Sequence, residues 1–372
     1  MEENKEFNGN SQKEKKGFPK EAIAPIILAL ATAVLITLLL LLGNGKSFGN
    51  AGEVNSGSDE QSIKTKSKIF YEYFDTVSTV YDYSGKSEEE FKENCRLIEE
   101  KIKYYHELFD IYNEYEGVTN LATVNRLAAT EAVKVDRELI DFLLYSVSMH
   151  ELTDGNVNIA MGSLLSVWHN YRLEGSKIPS RDELEAASLH TDINCLVIDE
   201  ENLTVRFTDP EMSLDVGAIA KGYAAEKCAD FLKSLGVTAY VLDLGGNLRA
   251  IGTKPGGGKW KTGVQNPDMY SDTPYVYYLD IADTSVVTSG DYQRFYTVDG
   301  KNYHHIINKD TLFPAEYYSS VTVVTEHSGL ADALSTALFN MKMEEAVALL
   351  DTLDGVSVIW VYTDGRLETY GI

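Results

Sequence analysis

From Ala22 to Gly43 the chain reads AIAPIILALATAVLITLLLLLG, 22 residues without a charge. As a helix, about 20 such residues span the hydrocarbon core of a bilayer. That run divides the chain into a basic head, an apolar segment and a long acidic remainder. Lys13, Lys15, Lys16 and Lys20 precede the run and only Lys46 closely follows it. The excess of positive charge on the N-terminal side places the head in the cytoplasm and the bulk of the chain outside. A cleaved signal peptide is the competing reading, but its apolar stretch is usually about 7–15 residues. No cysteine directly follows the run, so lipid attachment there is not available. Residues 44–66 are rich in Gly, Ser, Asn and charge, and bury too little apolar surface to offset the entropy of ordering. The expected organisation is a cytoplasmic tail at 1–21, a transmembrane signal anchor at 22–43, a flexible linker at 44–66 and an extracytoplasmic domain at 67–372.

Charge is distributed as unevenly as hydropathy. The chain carries 33 Lys and Arg against 57 Asp and Glu, a net −24. The first 50 residues hold six basic and five acidic side chains, so the remainder carries −25. Such a surface repels phosphate backbones, which argues against sequence-independent binding to DNA or RNA, and no nucleic-acid partner is expected. Cys95, Cys195 and Cys228 are too few for a disulfide framework and lack the CxxC spacing of a thiolate zinc site.

Beyond residue 67 the patterns are those of a globular domain. Helical spacing of apolar residues predicts a helix over Glu88 to Phe109 and others at 137–150, 181–188, 218–235 and 328–351. Runs rich in β-branched and aromatic residues predict strands at 69–74, 77–83, 194–198, 203–207, 239–243, 275–281, 319–325 and 356–362, with Asp364-Gly365 as a hairpin turn. Strands and helices mix without regular βαβ alternation, so the expected class is α+β.

Three segments carry chemistry. Neither GxGxxG nor GxxxxGK[ST] occurs, and Gly256-Gly257-Gly258 after Pro255 reads as a loop. In Ser213-Leu-Asp-Val-Gly-Ala-Ile-Ala-Lys-Gly-Tyr-Ala224 a strand-like end meets a glycine and then an alanine-rich helix. Free N–H groups at a helix start attract anions, and Lys221 adds a positive charge, so the segment suits a pyrophosphate. Asp215 could accept hydrogen bonds from a ribose or a ring, or could simply cap that helix. In Gly329-Leu-Ala-Asp-Ala-Leu-Ser-Thr-Ala-Leu-Phe339, Asp332 and Thr336 are four apart and share a helix face. Their oxygens suit Mg²⁺ or Ca²⁺, although a polar helical stripe is more often merely solvated. His304 and His305 follow each other on a strand-like run, so only one can face a cleft, and a lone strand histidine is more often structural than catalytic.

The order and wording of these segments resemble the flavin transferase family, enzymes that take FMN from FAD and attach it to a threonine or serine of a target protein, often labelled thiamine-biosynthesis lipoproteins. The family's LDLGGIAKGYA is similar to Leu214 to Ala224, and its LGG…G…W to Leu244-Gly-Gly-Asn-Leu-Arg-Ala-Ile-Gly252 running to Trp260. Its TSGdYeR…HIIdP.TG.P resembles Thr288 to Arg294 and His305 to Pro314, its ADAlaTAL resembles Ala331 to Leu338, and its GAFDpTvGPLv..W resembles Gly155 to Trp168. The likeness covers about residues 68–365 and implies an α+β, T-fold-like core. It implies Mg²⁺ ligands at the carbonyl of Ala218 and the side chains of Asp332 and Thr336. It implies flavin contacts at Asp215, Lys221, Asn156, Val157, Asn158 and Ile306, a ring-contacting Tyr115 ten residues before Asn125, and His305 as the histidine of transfer. Asn158 and Asn308 stand where the family has aspartates, so each position lacks the negative charge that a proton-transfer role there would use.

The resemblance implies a Mg²⁺-dependent attack of an acceptor hydroxyl on FAD, His305 taking the proton and AMP leaving, with activity falling below the ordinary histidine pKa near 6.5 and His304 far less sensitive to substitution. Family acceptors carry a short Asp/Ser-Gly-Ala-Thr/Ser-like motif, absent from this chain, so the acceptor is a separate flavoprotein of a membrane or extracellular redox system. Two alternatives stand beside transfer: hydrolysis of FAD to FMN and AMP, and flavin binding without turnover.

Overall fold

A computed structural model describes residues 65–372. The apolar run 22–43, the basic head and residues 44–64 of the expected linker lie outside the described residues. Among the described residues no helix is long and apolar enough to cross a membrane.

Eight strands form one antiparallel sheet in the order Lys66–Phe70, Ser78–Asp82, Ala239–Leu244, Asn247–Gly252, Ser285–Gly290, Tyr318–Thr325, Ser357–Tyr362 and Leu367–Tyr370. Period-two alternation sends Val80, Leu242, Ile251, Val287 and Trp360 into a large core beneath the helices, and Tyr81, Val241, Ala250, Val286 and Ile359 into a second core on the other face. Helices Glu88–Phe109, Arg137–Leu152, Ala220–Ser234 and Ser328–Asn340 cover the first face; the hairpin of Trp260–Gln265 and Tyr275–Ile281 covers the second. The α+β expectation holds.

Local signals explain the elements that matter for the site. Ser87 caps Glu88–Phe109 by accepting from the Glu90 N–H, and three glutamates occupy its first turn, where the helix dipole favours them. The strand expected at 69–74 stops at Phe70, because Phe74 and Asp75 both adopt left-handed backbone (φ 55° and 49°) and turn the chain back. The helix expected at 328–351 is two helices, Ser328–Asn340 and Met343–Leu350. Met341 and Lys342 are extended between them, and the Glu345 carboxylate accepts the Lys342 N–H to start the second. At Asp364-Gly365 the expected hairpin turn forms, with Gly365 at φ 84°. Strands Asn247–Gly252 and Ser285–Gly290 and helix Gly162–Glu174 had no clear periodic signal in the sequence.

A third apolar cluster joins helices Gly162–Glu174 and Arg181–Ser188 to the 305–314 loop through Leu164, Trp168, Leu184, Ile307 and Leu312. Trp168 Nε1–H donates to the Leu312 carbonyl at 2.9 Å.

Candidate active site

Two helices build the first half of the site. Ala220–Ser234 packs against Ser328–Asn340 so closely that a Cβ on Gly222 would lie 2.3 Å from Asp332 Cβ and 2.5 Å from the Ser328 carbonyl. Only glycine permits that approach. The closeness lets Gly222 N–H donate to Asp332 Oδ2 at 2.7 Å, so a carboxylate of one helix satisfies a free donor at the start of the other. Asp332 is buried, and loss of hydration raises its pKa against the pull of Lys221 and the Gly222 N–H. Lys221 forms no ion pair within 4 Å among the described residues. Ala218 lies just before this helix start. Thr336, one turn beyond Asp332, lies 3.4 Å (Oγ1) from Ser289 Oγ on strand Ser285–Gly290, and Ser289 also bonds Ser335 at 2.8 Å.

The oxygen donors shown at this point are the buried Asp332 carboxylate and the Ser289, Ser335 and Thr336 hydroxyls. Among the described residues no group of three or more His, Cys, Asp or Glu is placed to hold a metal. A cation at Asp332 would meet one carboxylate and otherwise neutral oxygens.

The second half lies at the segment before Ala220. Asn125 grips Leu214 with two hydrogen bonds, accepting its N–H at 2.7 Å and donating to its carbonyl at 2.9 Å. Asp215 N–H donates to the Ile159 carbonyl at 2.8 Å, and Gly162 N–H to that of Ser213 at 3.1 Å, so residues 156–162 lie alongside 213–215. The Asp215 side chain accepts from Gly217 N–H at 2.9 Å in a local turn. It does not cap the helix, whose cap position is Ile219, so the capping reading of Asp215 is corrected. Burial raises its pKa, opposed first by the Gly217 N–H and then by the Arg172 and Arg294 charges. Tyr115 OH donates to Asp110 Oδ2 at 2.7 Å and lies 3.3 Å from His106 Nε2. The Val157 side chain is in the core, and Asn156 ties back to the Thr153 carbonyl. The Asn158 amide spends both ends internally, donating to the Thr191 carbonyl and accepting from Ala160 N–H.

The histidine pair completes the site. His304, at the end of strand Lys301–His304, is buried; its Nε2–H donates to the Ala315 carbonyl at 2.7 Å and its Nδ1 accepts from Ile306 N–H at 3.2 Å. It is a pin for the turn. Ile306 is likewise occupied, its side chain in the core and its carbonyl accepting from Ala315 N–H. His305 faces the other way. Its Nδ1–H donates to the Arg294 carbonyl at 3.2 Å, which leaves Nε2 as the basic nitrogen. Loss of hydration, then the neighbouring Arg294 charge, push its pKa down to about 3. Asn308 holds this turn to the end of helix Ser328–Asn340 by donating to the Asn340 carbonyl at 3.1 Å.

Residues 74–360 match the sequence profile of the ApbE family. The chain belongs to the ApbE family. It is 33% identical over 283 residues to the FAD:protein FMN transferase of Treponema pallidum (strain Nichols), a match covering 70% of this chain and 78% of that protein. It is 30% identical over 262 residues to the FAD:protein FMN transferase of Klebsiella pneumoniae (strain 342), covering 70% and 79%. Among solved structures, the ApbE protein of Thermotoga maritima aligns with a TM-score of 0.74 at 30% identity, over 83% of this chain and 97% of that one. The flavin transferase ApbE of Vibrio cholerae aligns at 0.68 and 24% identity over 82% and 97%, which speaks to the fold alone.

For this ApbE-family chain the fold brings Lys221, Gly222 and Asp332 together, and Thr336 with Ser289. It brings Asp215 within electrostatic reach of Arg172 and Arg294, and His305 against Arg294. Ser289 and Arg294 were inside a quoted motif but not singled out. Arg172 and His169 lie just past Trp168, beyond the motif that ends there, and their spacing from Trp168 on one helix was the available signal. The left-handed turn at Phe74-Asp75 left no trace in the local pattern.

Proposed function

We propose that the chain transfers FMN from FAD to a serine or threonine hydroxyl of a target flavoprotein. The observation that carries this reading is the Gly222–Asp332 contact, which sets a buried carboxylate and Lys221 at the start of one helix, the arrangement a pyrophosphate with a bound cation needs. The donor set at Asp332, Thr336 and the Ala218 carbonyl fits Mg²⁺, which when bound would neutralise charge on the pyrophosphate. Lys221, at the start of helix Ala220–Ser234, holds the phosphates on the AMP side. Tyr115 and Asp215 orient the flavin part. The acceptor oxygen attacks the phosphorus that bears riboflavin, the bond from that phosphorus to the bridging oxygen breaks, and AMP leaves. The hydroxyl proton passes to Nε2 of His305, held ready because Nδ1 is tied to the Arg294 carbonyl. The low proton affinity of His305 in the free site is raised when an anion offsets Arg294.

Of the two other readings, hydrolysis would let water replace the hydroxyl; pure flavin storage has no need for a buried carboxylate beside Lys221. The uncharged run 22–43 supports a membrane-anchored, extracytoplasmic enzyme that serves membrane or extracellular flavoproteins. Asp332→Asn tests the reading. Expected is a fall in transfer of roughly 10²-fold or more, as when a single electrostatic stabiliser of a transition state is removed, with flavin binding largely kept. Mass of a candidate acceptor incubated with FAD and Mg²⁺ is the measurement. An acceptor that gains the FMN mass at the wild-type rate would rule the assignment out, and FMN and AMP formed with no acceptor adduct would favour hydrolysis.

A further inference from the structure

We propose that Arg172 and Arg294 form an anion clamp for the phosphate on the FMN side of the flavin nucleotide, an inference that rests on FAD being the substrate. Placement comes from packing. Arg172 lies one helical turn after Trp168 in Gly162–Glu174, and so on the same face. Trp168 stacks on Tyr303 at 6.1 Å, and Tyr303 lies opposite Tyr296 in the Phe295–Val298 and Lys301–His304 hairpin. Arg294 is at the foot of that hairpin, two residues before Tyr296. The helix therefore delivers Arg172 to the strand pair from which Arg294 emerges.

Most arginines of this chain are ion-paired; among the described residues the exposed Arg206 is not, and neither is this pair. In a protein with 57 acidic residues, Arg96, Arg126, Arg137, Arg181 and Arg366 each have a carboxylate within 4 Å. Among the described residues, Arg172 and Arg294 have none. Arg172 donates to His169 Nδ1 at 2.9 Å, which keeps that imidazole neutral on its acceptor side, and Arg294 donates to the Asp75 carbonyl at 3.1 Å. The remaining guanidinium donors are uncommitted to protein. Burial and the nearby Arg294 charge lower the pKa of Arg172, so the two cations repel in the ligand-free site. Two guanidinium groups with no carboxylate within 4 Å, and the Asp215 carboxyl only at longer electrostatic reach, match a phosphate, whose oxygens accept forked hydrogen bonds from both. Its position in the site names which phosphate. The Arg294 carbonyl anchors His305, whose Nε2 takes the proton of the attacking hydroxyl, so the clamped phosphorus is the one attacked, the FMN phosphorus.

The test compares FMN with riboflavin, which lacks the phosphate, by quenching of flavin fluorescence on the full chain in detergent. Arg172→Gln and Arg294→Gln are each expected to weaken FMN about ten- to hundredfold, with riboflavin unchanged. Arg172→Lys, which keeps charge but not the fork, should fall between wild type and Arg172→Gln, and retained circular dichroism shows that the variants fold. Equal weakening of FMN and riboflavin, or no weakening of either, overturns the clamp while leaving the transferase reading intact. A raised KM for the acceptor alone overturns it in favour of an acceptor carboxylate. A wild-type chain that binds no flavin nucleotide overturns the transferase reading and the clamp together.

Discussion

At the scale of single residues, the two adjacent histidines divide their work by which side of the chain they face. His304 uses both ring nitrogens inside the protein, and His305 keeps Nε2 free. A free histidine titrates near 6.5; at His305, loss of hydration and then the Arg294 charge push the pKa down to about 3, below the range over which the family resemblance implies a fall in activity. The ratio of wild-type to His305→Ala kcat/KM, which reports the free enzyme, should therefore stay flat between pH 8 and 5. A bend in that ratio near 6.5 would show that the imidazole is far better hydrated than its surroundings imply. The lower sensitivity expected of His304 concerns the transfer step; for stability its two ring nitrogens matter. His304→Ala leaves the Ala315 carbonyl and the Ile306 N–H without their partner, at about 1–3 kcal/mol per buried group, and urea unfolding should show the loss. Folding lowers both imidazole pKa values, so the unfolded chain binds these protons first. This share of stability is present above about 6.5 and is lost as pH falls below it.

Among the elements, the pair Ala220–Ser234 and Ser328–Asn340 decides the site. Their contact depends on Gly222, where an added methyl meets Asp332 Cβ at 2.3 Å and a backbone carbonyl at 2.5 Å. Neither obstacle is the far end of a flexible side chain, so the helices must part. Gly222→Ala is expected to cost about 1–3 kcal/mol by overpacking and to lengthen the Gly222 to Asp332 hydrogen bond. Thermal unfolding and transfer rate should fall together; a variant with unchanged Tm and rate would mean the helices slide apart freely. The break at Met341-Lys342 belongs to the same scale. Asn308 takes the Asn340 carbonyl, and Glu345 takes the Lys342 N–H, so side chains from outside the helical pattern end one helix and begin the next.

At the scale of the whole molecule, the first strand sets the domain's lower edge. Lys66, the last residue of the expected linker, is already in strand Lys66–Phe70, and its ammonium lies 3.0 Å from the fully buried Asp82 carboxylate. A chain beginning at residue 65 should fold without detergent and bind FMN. One beginning at residue 71 loses that whole edge strand with its Lys66–Asp82 pair, a loss that differential scanning calorimetry would register as a lower Tm. Equal melting of the two would mean that the edge strand contributes nothing to the domain.

What the sequence determined by itself was what local rules govern. Helices 88–109 and 181–188 and strand 275–281 were legible because side-chain period and capping act over a few residues. The Asp332 and Thr336 pair was legible because helical spacing alone puts them on one face. Membership of the ApbE family was legible because ordered motifs survive where the intervening chain varies. Tertiary structure decided the rest. Strands Asn247–Gly252 and Ser285–Gly290 exist because neighbours on both sides pair with them, despite the Asn, Arg and Gly they contain. Asp215 lost its capping role because the helix begins later, at a point set by packing. Arg172 and Arg294 are distant in sequence, and their segments come together through the packing of Trp168 on Tyr303. Charge repulsion between them is a cost that local sequence cannot register, since it arises only when the fold holds the two cations together.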